Sequence, residues 1–135
     1  MAMKTYSMEL LFKALADRTR LRLLSLMGED EVCVCYFVEV FKTNQPKISR
    51  HLAYLRRAGL VAARREGKWM HYRVATPPDA HAARIFMEVR AWLREEREMQ
   101  RDRERLQQLC CAPRPPVQLK RAPRPASLAA DAPRV

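Results

Sequence analysis

The sequence predicts a mainly α-helical domain with one small β-hairpin, and three observations carry that prediction. Apolar residues recur at spacings of three and four over most of residues 7–57, as on one face of an amphipathic helix. Between Leu60 and Val74 the period shortens to two on either side of Gly67, the pattern of a hairpin. Residues 79–109 hold neither Gly nor Pro, which suits one long helix. A chain of 135 residues has room for one such domain with its own core.

Taken in order, Ser7 caps a first helix running to about Ala16, with Met8, Leu11, Phe12 and Leu15 on one stripe. Asp17 caps a second, in which Leu21, Leu24 and Met27 repeat and Gly28 marks the stop. The acidic loop 28–31 follows. Val34, Phe37, Val38 and Phe41 then form the buried face of a third helix that begins at or within the pair Cys33/Cys35. After a turn at Lys42 and Thr43, Asn44 caps a fourth helix with Pro46 in its first turn. Ile48, Leu52 and Leu55 point inward, while Lys47, Arg50, Tyr54 and Arg57 line the opposite side, with Ser49 and His51 at its edges. Two short helices joined by a tight turn, the second presenting cations, make a helix-turn-helix suited to a major groove. Val61–Arg65 and Trp69–Val74 pair across Gly67 as a basic wing, with Arg73 beside its other cations. The fold class is therefore a winged helix-turn-helix.

Pro77-Pro78 breaks the chain before the fifth helix, in which Ile85, Trp92, Met99 and Leu106 recur every seven residues, widened early by Val89 and Leu93. Mixed charges solvate its second half, and a seam this narrow suits another helix, with the same or the first helix of a second subunit as the expected partner. Residues 1–111 are expected to form the folded DNA-binding and sensing domain. Residues 112–135, which carry six of the nine prolines, are expected to be a disordered tail.

Charge locates the partner. Of 26 Lys and Arg residues nine lie in 42–76 against a single acidic residue there, whereas 1–41 and 77–111 are close to neutral. A block this one-sided is an electrostatic footprint for phosphate, and the partner expected is double-stranded DNA. The expected contact residues are Gln45, Lys47, Ser49, Arg50, His51, Tyr54 and Arg57 of the fourth helix and Arg64, Arg65 and Lys68 of the wing. No apolar run approaches the roughly 18 residues of a membrane span, and the N-terminus lacks a signal-peptide core, so a soluble cytoplasmic protein with no membrane partner is expected. In that compartment the four cysteines read as ligands or reactive thiols. No Gly-rich phosphate loop and no catalytic constellation accompanies them, which argues against an enzyme.

From Leu11 to Val74 the segments FKALADRTRLRLLSLM, EVCVC, NQPKISRHLAYLRRAGLV and REGKWMHYRV together resemble the ArsR/SmtB family of metal-responsive winged-helix repressors, and in particular its arsenic-responsive branch. The resemblance implies a homodimer joined through the first and fifth helices, which binds operator DNA of a resistance operon and leaves it when an inducer binds. It implies Cys33 and Cys35 as thiolate ligands to trivalent arsenic, arsenite or a methylated arsenical, with no cofactor required. Two departures stand out. Val38 occupies the position where the arsenic branch often has a third cysteine. Trp92 stands where zinc-responsive relatives have a histidine, so Asp79 and His81 read as a helix cap and a surface residue. The third thiolate is then Cys110 or Cys111, or is absent. Cadmium, lead or thiol oxidation on the same scaffold is the alternative signal. Cysteines at i and i+2 lie about 200° apart on a helix, so binding both is expected to need a non-helical backbone and to distort the start of the third helix.

Overall fold

A computed structural model of the chain describes residues 5–111, 119 and 121–129. The first four helices form where their caps and stripes place them. Ser7 accepts from the Leu10 amide at the head of α1 (Met8–Leu15), and Asp17 from the Arg20 amide at the head of α2 (Arg18–Met27). A two-residue strand, β1 (Val32–Cys33), runs directly into α3 (Val34–Phe41). Lys42 makes the turn in the left-handed region at φ 51°, and Asn44 caps α4 (Gln45–Arg57) on the Lys47 amide. Leu23, Leu24, Leu26 and Met27 of α2 meet Phe37, Ile48, Leu52 and Leu55 in one buried core. Burying a side chain of this kind is worth roughly 1.5–3 kcal/mol, so the core holds the helix-turn-helix against α2.

The hairpin joins β2 (Val61–Glu66) to β3 (Trp69–Val74) through Gly67-Lys68, with Gly67 at φ 59° in the conformation that glycine-first hairpin turns require. The sheet has a third strand that the sequence did not announce. β1 pairs antiparallel with β3 in the order β1-β3-β2, with Val32 opposite Tyr72 and Cys33 opposite His71. The wing is thereby bonded to the segment that carries the first two cysteines.

The single long fifth helix is corrected by the structure. α5 (Ala80–Glu95) stops at Glu96, which is extended at φ −76°, ψ 131°, and α6 (Arg97–Cys111) turns back to pack on α2 and α3 of its own chain. No breaker residue causes this; tertiary contacts do. Met99 and Leu106 are 0% and 4% exposed against the body, and Arg22 of α2 holds Asp102 with two hydrogen bonds of 2.8 and 2.9 Å. The Arg94 carbonyl freed by the break accepts from Gln100 and Arg103. The sevenfold seam is thus split. Its second half finds burial within the chain, while Ile85 and Trp92 in the first half stay 38% and 66% exposed.

Of the tail, residues 112–118, 120 and 130–135 lie outside the described residues. Leu119, Ala122 and Pro125 are buried, and α7 (Ala126–Ala129) is held by Ser127, whose amide and hydroxyl both donate to the Asp30 carboxylate.

Candidate DNA interface and thiol centre

The outer face of α4 carries the expected side chains, which fall into two groups. Gln45, Lys47, Ser49, Arg50 and Arg57 are exposed. His51 and Tyr54 are half-buried and held from behind by α2: the His51 Nδ1 lies 3.4 Å from Arg20 Nη1 and 3.6 Å from Asp17 Oδ2, and the Arg20 guanidinium stands 4.3 Å over the Tyr54 ring. Arg20 is itself fixed by donating to the carbonyls of Ala14 and Lys13. It sets the pose of α4, and sequence reasoning passed over it because it lies outside the basic block.

On the wing Arg65, Lys68 and Arg73 are exposed, with Lys68 4.9 Å above the Trp69 ring. Arg64 differs from them. It donates to both oxygens of Glu31 at 3.0 and 3.1 Å and to Glu66 at 3.4 Å. Those bonds hold the Glu31 carboxyl below the ordinary carboxylate range. Arg64 is therefore a brace between the acidic loop and the hairpin.

The cysteine pair straddles the junction of strand and helix. Cys33 is the N-cap of α3, extended at φ −70°, ψ 141°, and Cys35 sits in the first turn. This divided backbone brings the Cys35 thiol to 3.0 Å from the Cys33 sulfur, to which it donates. The two sulfurs meet because only one of the two residues is helical, in keeping with the expectation that the pair needs a non-helical backbone. That hydrogen bond, opposed by burial and reinforced by the amides of Cys35, Met70 and Val34, lowers the Cys33 thiol to about 7. The same bond and burial push Cys35 upward. The pair thus holds one acidified thiol and one proton donor.

Cys110 is buried near the end of α6, where its thiol is hydrogen-bonded with the Tyr36 phenol; burial and this thiol raise the phenol above its ordinary range. Among the described residues no three His, Cys, Asp or Glu groups are gathered around one point. The side chain of Cys111 lies outside the described residues. Asp79 caps α5 by accepting from the amides of His81 and Ala82, and His81 is exposed beside Arg84, as expected of a cap and a surface residue. His71 is inconspicuous in the sequence because it reads as one member of an alternating strand; it is 4% exposed and faces Cys33 across the sheet.

With this geometry in view, the chain's likeness to known proteins is informative. Residues 17–63, from the cap of α2 into β2, match the family described as bacterial regulatory protein, arsR family. Over 91 residues the chain is 48% identical to the arsenical resistance operon repressor of Escherichia coli, covering 67% of this chain and 76% of that one. The chain belongs to the ArsR family. It is also 50% identical over 66 residues to the arsenic resistance transcriptional regulator ArsR1 of Pseudomonas putida, spanning 48% of this chain and about half, 52%, of that relative. Among solved structures, a homodimeric winged helix-turn-helix DNA-binding domain from Mycobacterium bovis, a possible ArsR-family regulator, matches with a TM-score of 0.52 at 34% identity, over 64% of this chain and 78% of that one. ArsR-family proteins are DNA-binding transcriptional regulators, and the matched residues include the whole of α4. Among the described residues no helix is long and apolar enough to cross a membrane.

Proposed function

We propose that this ArsR-family protein is a repressor that binds operator DNA of an arsenic-resistance operon and is released when trivalent arsenic bonds to Cys33 and Cys35. The observation that carries this reading is the pair of sulfurs 3.0 Å apart at the junction of β1 and α3. Arsenite exchanges hydroxyl groups for sulfur, so each thiol proton leaves with one hydroxyl as water and the product is a dithiolate arsenic hydroxide, with no change of oxidation state. A monomethylated trivalent arsenical, having only two exchangeable positions, fits two thiols equally well. Cys33, as the more acidic thiol, supplies the first thiolate.

The route to DNA follows from where the pair sits. An atom entering between the sulfurs removes the S–H···S bond and spreads them. Cys33 is at once the N-cap of α3 and the cross-strand neighbour of His71 in the wing, so the displacement reaches both DNA-contacting parts. A coupling free energy of about 1–3 kcal/mol is enough to change DNA affinity by roughly 5- to 150-fold. Direct readout is assigned to Gln45, Lys47, Ser49, Arg50 and His51, and backbone contact to Tyr54, Arg57, Arg64, Arg65 and Lys68.

Residues 1–111 form the DNA-binding and sensing unit in this reading, and it works as a homodimer. Met8, Phe12, Ile85, Met87 and Trp92 are 65%, 48%, 38%, 67% and 66% exposed on α1 and α5, and Phe12, Ile85 and Trp92 line an apolar groove of about 510 Å³. Exposed apolar surface of that extent on neighbouring helices marks an interface. The thiol assignment is tested by titrating reduced protein with arsenite and counting the free thiols that remain: the wild type loses both Cys33 and Cys35 per chain, and retention of either one overturns it.

A further inference from the structure

We infer that the cavity where the end of α2 meets α5 and α6 binds a small molecule carrying a phosphate group, which Arg90, Arg94 and Arg103 hold. It stands apart from the thiol centre and the DNA-contacting face: no residue of the cysteine pair, of α4 or of β2 and β3 lines it.

The first observation is charge. Three arginines border one space of about 380 Å³, and the single acidic residue on its wall, Glu29, has a side chain 86% exposed. Like charges gathered around a cavity repel one another, and an anion placed between them removes that repulsion. Arginine suits phosphate in particular, because its planar fork offers two parallel hydrogen bonds to a pair of phosphate oxygens.

The second is that two of the guanidiniums are already fixed. Arg90 donates through Nη2 to the Gly28 carbonyl at 3.1 Å and to Glu29 at 2.8 Å. Arg103 donates through Nη1 to the Ser25 hydroxyl at 2.7 Å and through Nη2 to the Arg94 carbonyl at 3.3 Å. Capping carbonyls at helix ends is an ordinary task for such cations, but it does not use up a group with five N–H donors. The Nε of each makes no hydrogen bond among the described residues, and neither does any part of the Arg94 guanidinium. Ser25 adds a neutral donor. It is 7% exposed, its hydroxyl accepts from Arg103, and its own proton has no acceptor among the described residues.

The third is shape. Leu24 and Leu93, both buried, form an apolar wall beside the cations. Sites for small organic molecules are typically about 300–1,000 Å³, so there is room for an organic group on the phosphate to lie against these leucines. The fold-back at Glu96 creates this arrangement. On an uninterrupted helix Arg94 and Arg103 would stand about 13 Å apart along the axis, whereas here Arg103 reaches the Arg94 carbonyl.

The experiment is calorimetric titration of the intact, reduced chain with inorganic phosphate and with phenyl phosphate, at an ionic strength held constant with sodium chloride. It compares the wild type with Arg94→Gln, whose lost side chain is exposed and bonds to nothing else described, and with Arg50→Gln on the basic face of α4. The expected result is one saturable site per chain, weakened about tenfold or more in Arg94→Gln by loss of a charge-assisted pair and changed by less than about twofold in Arg50→Gln. Tighter binding of phenyl phosphate than of phosphate assigns the leucine wall to an ester's organic group, and equal affinity assigns the site to free phosphate; either supports the inference. No saturable binding by the wild type overturns it. Equal affinity in wild type and Arg94→Gln overturns it too, since the arginines are then helix caps alone. Weakening in Arg50→Gln as large as in Arg94→Gln would place the anion on α4 and overturn it as well.

Discussion

Replacing Arg22 by Ala tests whether α6 folds back on its own chain. Asp102 is only 8% exposed at its side chain and is held by two hydrogen bonds from Arg22, itself 23% exposed, whose guanidinium also stacks 4.3 Å from the Phe41 ring. Those bonds raise the Arg22 guanidinium above its ordinary range. Breaking a buried pair by removing one partner costs about 3–5 kcal/mol. Here water enters the space left by the partly exposed Arg22 and lowers the cost to about 2–3 kcal/mol. For a domain of this size that is a fall in Tm of roughly 8–15 °C. The assay is thermal or urea unfolding of the wild type, Arg22→Ala, Asp102→Ala and the double variant. Two residues in contact give a coupling of about 1–2 kcal/mol, whereas distant sites add within about 0.5 kcal/mol. Additive losses would mean that Asp102 does not lie against α2, and that the chain follows the straight fifth helix suggested by its sevenfold spacing.

Three further outcomes are expected. Alkylation of Cys33, followed peptide by peptide in a mass spectrometer, should rise with pH through a midpoint near 7, because the thiol lowered to that value is protonated and slow below it; Cys35→Ala should move the midpoint up toward the ordinary thiol range by removing the donor. Arg50→Ala should weaken operator binding by about 1–3 kcal/mol and binding to an unrelated duplex much less, and equal losses on both would reduce Arg50 to a phosphate contact. Trp92→Glu should convert the dimer to monomer in sedimentation while changing the stability of the isolated fold by less than about 0.5 kcal/mol, as expected of an exposed side chain; an undisturbed dimer would place the interface elsewhere.

Much of the fold was legible because its signals are local. Ser7, Asp17 and Asn44 each cap the helix that follows them, and Gly67 makes the turn of the wing. What was not legible depends on contacts distant in sequence. A two-residue strand has no alternation to detect, so β1 becomes visible only through its pairing with β3. The break at Glu96 has no glycine or proline to announce it and is fixed by Arg22, Ser25 and the core that buries Met99. At the site, the cysteine spacing is incompatible with one continuous helix, as the sequence implies, and the boundary between strand and helix falls between Cys33 and Cys35. Arg20 and His71 were missed for a shared reason. Each matters through a neighbour about 30 to 40 positions away, His51 in one case and Cys33 in the other.

The most direct test of the central claim is arsenite titration of a labelled operator complex, followed by fluorescence anisotropy, with the wild type, Cys33→Ser, Cys35→Ser and a Cys110→Ser/Cys111→Ser double variant. The account predicts that the wild type and the double variant release DNA over the same arsenite range, while each single variant binds the operator normally and stays bound. Release of Cys33→Ser or Cys35→Ser at the wild-type arsenite concentration would contradict it.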